Sequence, residues 1–144
     1  MSSQDKIILA ADGACQNNQN GEIREAAIGY LIEKDGEVIV DESKYIGQGD
    51  QFTNNRAEYE AVINGVRDIK NRFDANQVTL HIQTDSQLLV EQIAGSYSAK
   101  KMKELYDICM TELGSFDNWQ AERVSESTGN RIDRVDDLAE EPLE

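Results

Sequence analysis

A chain of 144 residues, 39% of them apolar and 29% charged, is sized for one folded domain over residues 1–144. Its 28 acidic against 14 basic residues leave a net charge of −14, which argues against a phosphate-binding surface built on Lys and Arg; any polyanion brought here needs a local remedy for repulsion. No run approaches the ~18 apolar residues of a membrane span. The polar start MSSQDK has no apolar signal core, so the cytosol and no membrane partner are expected. Cys15 and Cys109 make neither a disulfide framework nor a zinc site and are expected as reduced thiols.

In chain order, KIILAADGA reads as a short buried strand ending at Asp12-Gly13. AIGYLIEKDGEVIVDESKYI is a hairpin turning at Asp35-Gly36, a pair that tolerates positive φ. GQGDQFTNN is loop, and a helix follows through RAEYEAVINGVRDIK, with Ala57, Ala61, Val62, Val66 and Ile69 on one stripe. Thr53, Asn54 and Asn55 are its candidate caps. QVTLHIQT alternates Val78, Leu80 and Ile82 against Thr79, His81 and Gln83, as a strand does, and SQLLVEQIA is a short helix closed by Gly95. A further helix has the face Ala99, Met102, Leu105, Tyr106, Cys109 and Leu113. NWQAERV is a last strand, and RIDRVDDLAEE a last helix with Ile132, Val135, Leu138 and Ala139 on one side. The order β-ββ-α-β-α-α-β-α sets an antiparallel hairpin beside strands joined by helical crossovers. The fold class is α/β, a mixed sheet with helices on its faces.

Sites in open α/β sheets form beyond the carboxyl ends of parallel strands. Asp12 and Asp85 each stand at such an end, and if their strands are neighbours both side chains emerge at one edge. Glu58 falls in the first turn of the helix entered from TNN; a capping-box bond back to Asn55 and a ligand role both stay open. Asp136 lies one turn after Ile132 and beside Val135, at the border of the buried stripe, whereas Asp133 and Asp137 point elsewhere. Carboxylates gathered within a few ångströms cannot all ionise without cations. Hard divalent ions answer this, and Mg²⁺ keeps waters for substrate phosphates. A pair of ions ~3.5–4 Å apart can activate a water and stabilise the leaving oxygen of an in-line phosphoryl displacement. The same ions would turn an acidic cleft into a phosphate-binding one.

The stretches DGACQNN (12–18), TNNRAEYEAV (53–62), TDSQLLVEQI (84–93) and DDLA (136–139) resemble those of the type 1 ribonucleases H, in the family's order and with an element order that agrees along nearly the whole chain. The resemblance implies a ribonuclease H-like mixed five-stranded sheet with helices on both faces. It implies an endoribonuclease that cuts the RNA strand of RNA–DNA hybrids with two Mg²⁺ or Mn²⁺ ions, leaving 5′-phosphate and 3′-hydroxyl ends. Asp12, Glu58, Asp85 and Asp136 become the metal ligands and catalytic residues, Asp12 bridging both ions. Cys15, Asn18, Asn54, Asn55, Ser86 and Gln87 are expected along the minor groove, where amides and hydroxyls can read the ribose 2′-hydroxyls without adding repulsion. Thr53 and Arg56 are expected near a DNA-strand phosphate. The partner is the hybrid, and the protein is expected as a monomer.

Three departures from the family stand out. The basic helix-and-loop insertion of many relatives is reduced to GSYSAKKMK, a short form in which Lys100, Lys101 and Lys103 are a remnant of positive charge. Hybrid binding weaker than in basic relatives and strongly dependent on salt is expected. The loop SESTGNRI lacks the histidine many bacterial members carry; His81 is read as structural, and Glu126 as a solvated acid or a substitute. Ile132 stands where the family tends to place Asn, with Asn130 two residues earlier, so Asp133 is the fallback for the last ligand. The rival readings are a binding module of the same fold that has lost turnover, or a nuclease acting on duplex RNA or DNA junctions.

Overall fold

The computed structural model describes residues 5–17, 21–95, 102–125 and 130–144. Strands β1 (Asp5–Asn17), β2 (Arg24–Lys34), β3 (Glu37–Gln48), β4 (Val78–Thr84) and β5 (Asn118–Arg123) form one sheet in the order β3-β2-β1-β4-β5. The β2–β3 hairpin turns at Asp35 and Gly36, whose φ values of 50° and 88° are those the Asp-Gly pair tolerates. Pairing is antiparallel across β3-β2-β1 and parallel across β1-β4-β5. Because β1 and β4 are neighbours, the condition for Asp12 and Asp85 to share an edge is met.

Strand β1 corrects the expectation of a short strand ending at Asp12-Gly13. Its parallel pairing with β4 stops at Ala10 opposite Gln83, yet its antiparallel pairing with β2 continues to Asn17 opposite Arg24. Asp12 therefore lies inside β1, at the point where the neighbour on one side has fallen away. The hairpin partner sets the length of this strand, not its own apolar pattern.

Helices α1 (Asn54–Arg72), α2 (Gln87–Ile93), α3 (Lys103–Leu113) and α4 (Asn130–Glu140) complete the fold. One face of the sheet packs against α1 and α3. There Ile7, Leu9 and Ala11 of β1, and Val78, Leu80 and Ile82 of β4, meet Val62, Val66, Ile69, Cys109 and Leu113. On the other face α4 lies over β1 and β2, and Ile132, Val135 and Leu138 meet Ala10 and Leu31. The expected stripes of α1 and α4 are buried throughout: Ala57, Ala61, Val62, Val66 and Ile69 in one, Ile132, Val135, Leu138 and Ala139 in the other. Ala99 of the expected α3 face lies outside the described residues.

The start of α1 settles the cap left open above. Thr53 is the N-cap, extended at φ −129° with its hydroxyl accepting from Arg56 N at 3.1 Å, so Asn54 and Asn55 are the first two helical residues. The third is Arg56, and Glu58 falls beyond the first turn, too far along to close a capping box. At α2 the cap is Ser86, whose Oγ accepts from Leu89 N at 3.2 Å. Cys15 and Cys109 are free thiols, and burial pushes Cys109 up to about 12. Among the described residues no helix is long and apolar enough to cross a membrane.

Candidate metal centre

Four carboxylates from four separated segments gather where β4 ends beside β1. Asp12 comes from within β1, Glu58 from α1, Asp85 from the residue after β4, and Asp136 from α4. One oxygen from each of Asp12, Glu58 and Asp85 lies within 4.8 Å of the other two. Asp136 reaches Asp12 from the opposite face of the sheet, close enough to share a hydrogen bond with it. Asp133, the fallback for the last ligand, is exposed on the outside of α4.

Two glycines bring the helices that close. Along β1 side chains alternate between faces, so Gly13 looks toward α1 while Asp12 looks toward α4. A Cβ at Gly13 would lie 2.2 Å from the Ala57 carbonyl carbon and 2.4 Å from the Glu58 amide nitrogen, so α1 rests its backbone on the strand beside Glu58. Gly29 serves α4 in the same way, with Val135 O and Ala139 N each 2.6 Å from where its Cβ would stand. From sequence Gly13 reads only as the end of the first strand, and Gly29 carries no assigned role. An isolated glycine inside the apolar run AIGYLI was the available signal, since a strand glycine often marks a close backbone approach.

The electrostatics are those of crowded carboxylates, whose repulsion a cation could relieve. Asp12 is 4% exposed and is raised from 3.8 to about 9, first by burial, then by the charge of Asp85, then by the hydrogen bond and charge of Asp136 and the charge of Glu58. Burial also lifts Glu58, to about 6; a hydrogen bond from Ser86 opposes the rise and the charge of Asp85 adds to it. Ser86 accepts from Leu89 N, so its single proton is free to go to Glu58. The Oδ1 atom of Asp85 is buried and has no hydrogen-bond partner. An orphaned carboxylate oxygen among other carboxylates costs free energy unless something positive meets it. All the donors are hard oxygens, the chemistry of Mg²⁺ or Mn²⁺ and not of softer metals.

The residues expected to touch substrate fall on both sides of Glu58. Asn54 and half-buried Cys15 line a shallow cleft with Gln16, Asn17 and Arg24. Asn55 and Ser86 border a second hollow with Glu58 and Leu88. Gln87 is exposed, its amide donating to Glu91 at 3.0 Å. Arg56 stacks over the Phe52 ring at 5.1 Å and pairs with Glu60 at 3.8 Å, while Thr53 is occupied as the cap. Asn18, Lys100, Lys101 and Glu126 lie outside the described residues, as does the side chain of Asn130. Lys103 is exposed and paired with Asp107. His81 sits on β4 with its ring against the Gln120 amide, 2.7 Å away, and is not in the carboxylate cluster.

Comparison with known proteins bears on the fold and the family. The chain superposes on RNase H1 from the halophilic archaeon Halobacterium salinarum NRC-1 with a TM-score of 0.80 at 26% identity, covering 96% of this chain and 97% of that one. LC11-RNase H1, isolated from compost, gives 0.78 at 29% identity over 96% and 95%. The same protein in complex with an RNA/DNA hybrid gives 0.71 at 26% identity over 96% and 99%. A comparison with curated proteins gives no match. The RNase H family model matches residues 4–130, most of the chain, and the chain belongs to the RNase H family.

Proposed function

We propose that this protein is an endoribonuclease that cuts the RNA strand of RNA–DNA hybrids, leaving 5′-phosphate and 3′-hydroxyl ends, and that it works as a single-domain monomer in the cytosol. The observation that carries the reading is the meeting of Asp12, Glu58, Asp85 and Asp136, with the Asp85 Oδ1 atom buried and unpartnered. These four residues would hold two Mg²⁺ ions, or Mn²⁺, which when bound supply activation of the attacking water and stabilisation of the leaving 3′ oxygen. The solved complex of LC11-RNase H1 with an RNA/DNA hybrid supports the choice of substrate.

The chain's own groups orient that substrate. Asn54, Asn55, Gln87 and Cys15 offer neutral donors and acceptors around the carboxylates, suited to ribose 2′-hydroxyls, and Asn18, outside the described residues, is assigned the same role. Ser86 has a double duty: its hydroxyl caps α2 and holds Glu58 in place. Thr53 and Arg56 sit on the side where the DNA-strand backbone would run. No covalent enzyme intermediate is needed. The test is incubation of the purified protein with labelled hybrid, duplex RNA and duplex DNA, each with Mg²⁺ and with Mn²⁺. Cleavage confined to the RNA strand of the hybrid is expected; no product with either ion would leave a binding module instead.

A further inference from the structure

The acidity of the chain poses a question that the carboxylate site answers only at its centre: what holds the nucleic-acid backbone away from the metals? The seven arginines give a direct census. Arg56, Arg67, Arg72, Arg131 and Arg134 are each tied to a carboxylate, Glu60, Glu112, Asp68, Glu33 and Asp41 respectively. Among the described residues Arg24 and Arg123 form no ion pair. Arg123 donates to the Asp85 backbone carbonyl at 3.3 Å. Arg24, at the first residue of β2, is exposed and donates through Nη1 to the Phe52 carbonyl at 3.0 Å.

That carbonyl is a fixed anchor. The Phe52 ring is buried against Ala26 and Ala57, and the Cys15 thiol donates to the same oxygen at 3.5 Å. A guanidinium has five donors in a planar fork. One of them orients Arg24, and among the described residues no carboxylate takes up the others beside the cleft that Arg24 lines with Cys15, Gln16, Asn17 and Asn54. Among the described residues no carboxylate lines this cleft, in a chain where 28 of 144 residues are acidic. Its volume of ≈ 170 Å³ is that of several waters, at about 30 Å³ each, and admits a phosphodiester group.

We propose that Arg24 binds a backbone phosphate of the substrate duplex in this cleft, assisted by the neutral donors of Asn54 and Asn17. The proposal rests on the nucleic-acid reading above. Cys15 is three strand residues beyond Asp12, ~10 Å along β1. A phosphate in the cleft is therefore not the one being cut; Arg24 anchors the duplex at a second point. An arginine suits the role because its fork meets phosphate oxygens two at a time.

The test is equilibrium binding of a labelled RNA–DNA hybrid across a NaCl series, with Ca²⁺ as the divalent ion, for wild type, Arg24→Gln, Arg24→Lys and the control Arg67→Gln. Loss of one phosphate contact lowers the slope of log K against log salt by about 0.9 and weakens binding about eightfold at ~0.1 M salt. Arg24→Gln is expected to show both, Arg24→Lys to keep the slope, and Arg67→Gln, on the outer side of α1, to match wild type. If Arg24 only ties β2 to Phe52, Arg24→Gln lowers the melting temperature with an unchanged slope, and the proposal is overturned. A wild-type protein that binds no hybrid at any salt overturns the nucleic-acid reading and this proposal together. Wild-type binding with an unaltered slope in Arg24→Gln overturns this one alone.

Discussion

Gly29 on β2 stands directly across the antiparallel ladder from Asp12 on β1, and side chains of directly opposed residues share a face. The missing side chain of Gly29 thus leaves room beside the Asp12 carboxylate, and α4 settles its backbone into that room, with Val135 O and Ala139 N at 2.6 Å from a would-be Cβ. Asp136, between those two contacts in sequence, is delivered to Asp12 by this seating.

Replacing Gly29 with Ala should therefore act on two readouts. Carbon contacts settle at ~3.5–4.0 Å, so α4 must retreat by about an ångström, and its backbone cannot rotate out of the way as a side chain could. Overpacking of this kind costs about 1–3 kcal/mol, measurable by urea denaturation. Displacement of a site residue by ~1 Å can cost on the order of 10²-fold in rate. Wild-type hybrid cleavage by Gly29→Ala would show that α4 seating does not set the position of Asp136.

How much of this was legible in the sequence depends on where the information lies. Val78, Leu80 and Ile82, and the stripes of α1 and α4, announce themselves because period and burial coincide within one element. The continuation of β1 through Gly13-Ala14-Cys15-Gln16-Asn17 carries no apolar alternation; only its register with β2 extends it. Thr53, Asn54 and Asn55 are all good caps, and backbone conformation alone selects Thr53. The four carboxylates could be picked out by motif and order. The devices that bring them together could not, since Gly13 matters through α1 and Gly29 through α4, partners far away in the chain. Arg24 has no local signal at all, for its lack of an ion pair among the described residues is a property of the folded surface.

The metal-free protein should lose stability as pH rises. Asp12 holds its proton to about 9 in the folded state against an ordinary 3.8, and Glu58 to about 6 against 4.5. A raised folded value means that the native state binds the proton more tightly than the unfolded chain. The associated stability is complete below the ordinary values and fades as pH climbs through the folded ones. Urea midpoints in chelator should fall between about pH 4 and about pH 9, with the Glu58 share gone by about pH 7. Asp12→Asn should flatten most of this slope. Mg²⁺ should raise the midpoint more at pH 8 than at pH 5, because ligands must be deprotonated to bind. A flat profile for the wild type in chelator would contradict the crowding of these carboxylates.

Asp12→Asn and Asp85→Asn should separate activity from folding. Asp85→Asn removes a negative charge that repels its neighbours, whereas Asp12→Asn replaces a group that in the metal-free fold already holds its proton to about 9, so thermal stability in chelator is expected to rise in the first and to hold in the second. Hybrid cleavage should fall by on the order of 10²-fold or more, as when a single stabilising group is lost from an active site. Either variant turning over at the wild-type rate would remove that residue from the ligand set.

Two arginines of α4 offer a controlled comparison of ion-pair worth. Arg131 reaches Glu33, whose side chain is only 8% exposed, through two hydrogen bonds, whereas Arg134 and Asp41 are 49% and 36% exposed. Removing the partner of a buried carboxylate leaves a charge that neither water nor protein satisfies, at about 3–5 kcal/mol for a fully buried pair. The half-open Arg131 side should bring this down to about 2 kcal/mol for Arg131→Met. The outer pair is worth at most about 1 kcal/mol and is screened by salt. Urea denaturation in low and high NaCl should thus show Arg131→Met clearly destabilised in both, and Arg134→Met slightly destabilised in low salt alone. Because both pairs fasten the helix that carries Asp136, the Mg²⁺ concentration for half-maximal cleavage should rise in Arg131→Met and stay near wild type in Arg134→Met at high salt. Equal, fully salt-sensitive losses in the two variants would mean that the Glu33 carboxylate is as open to solvent as Asp41.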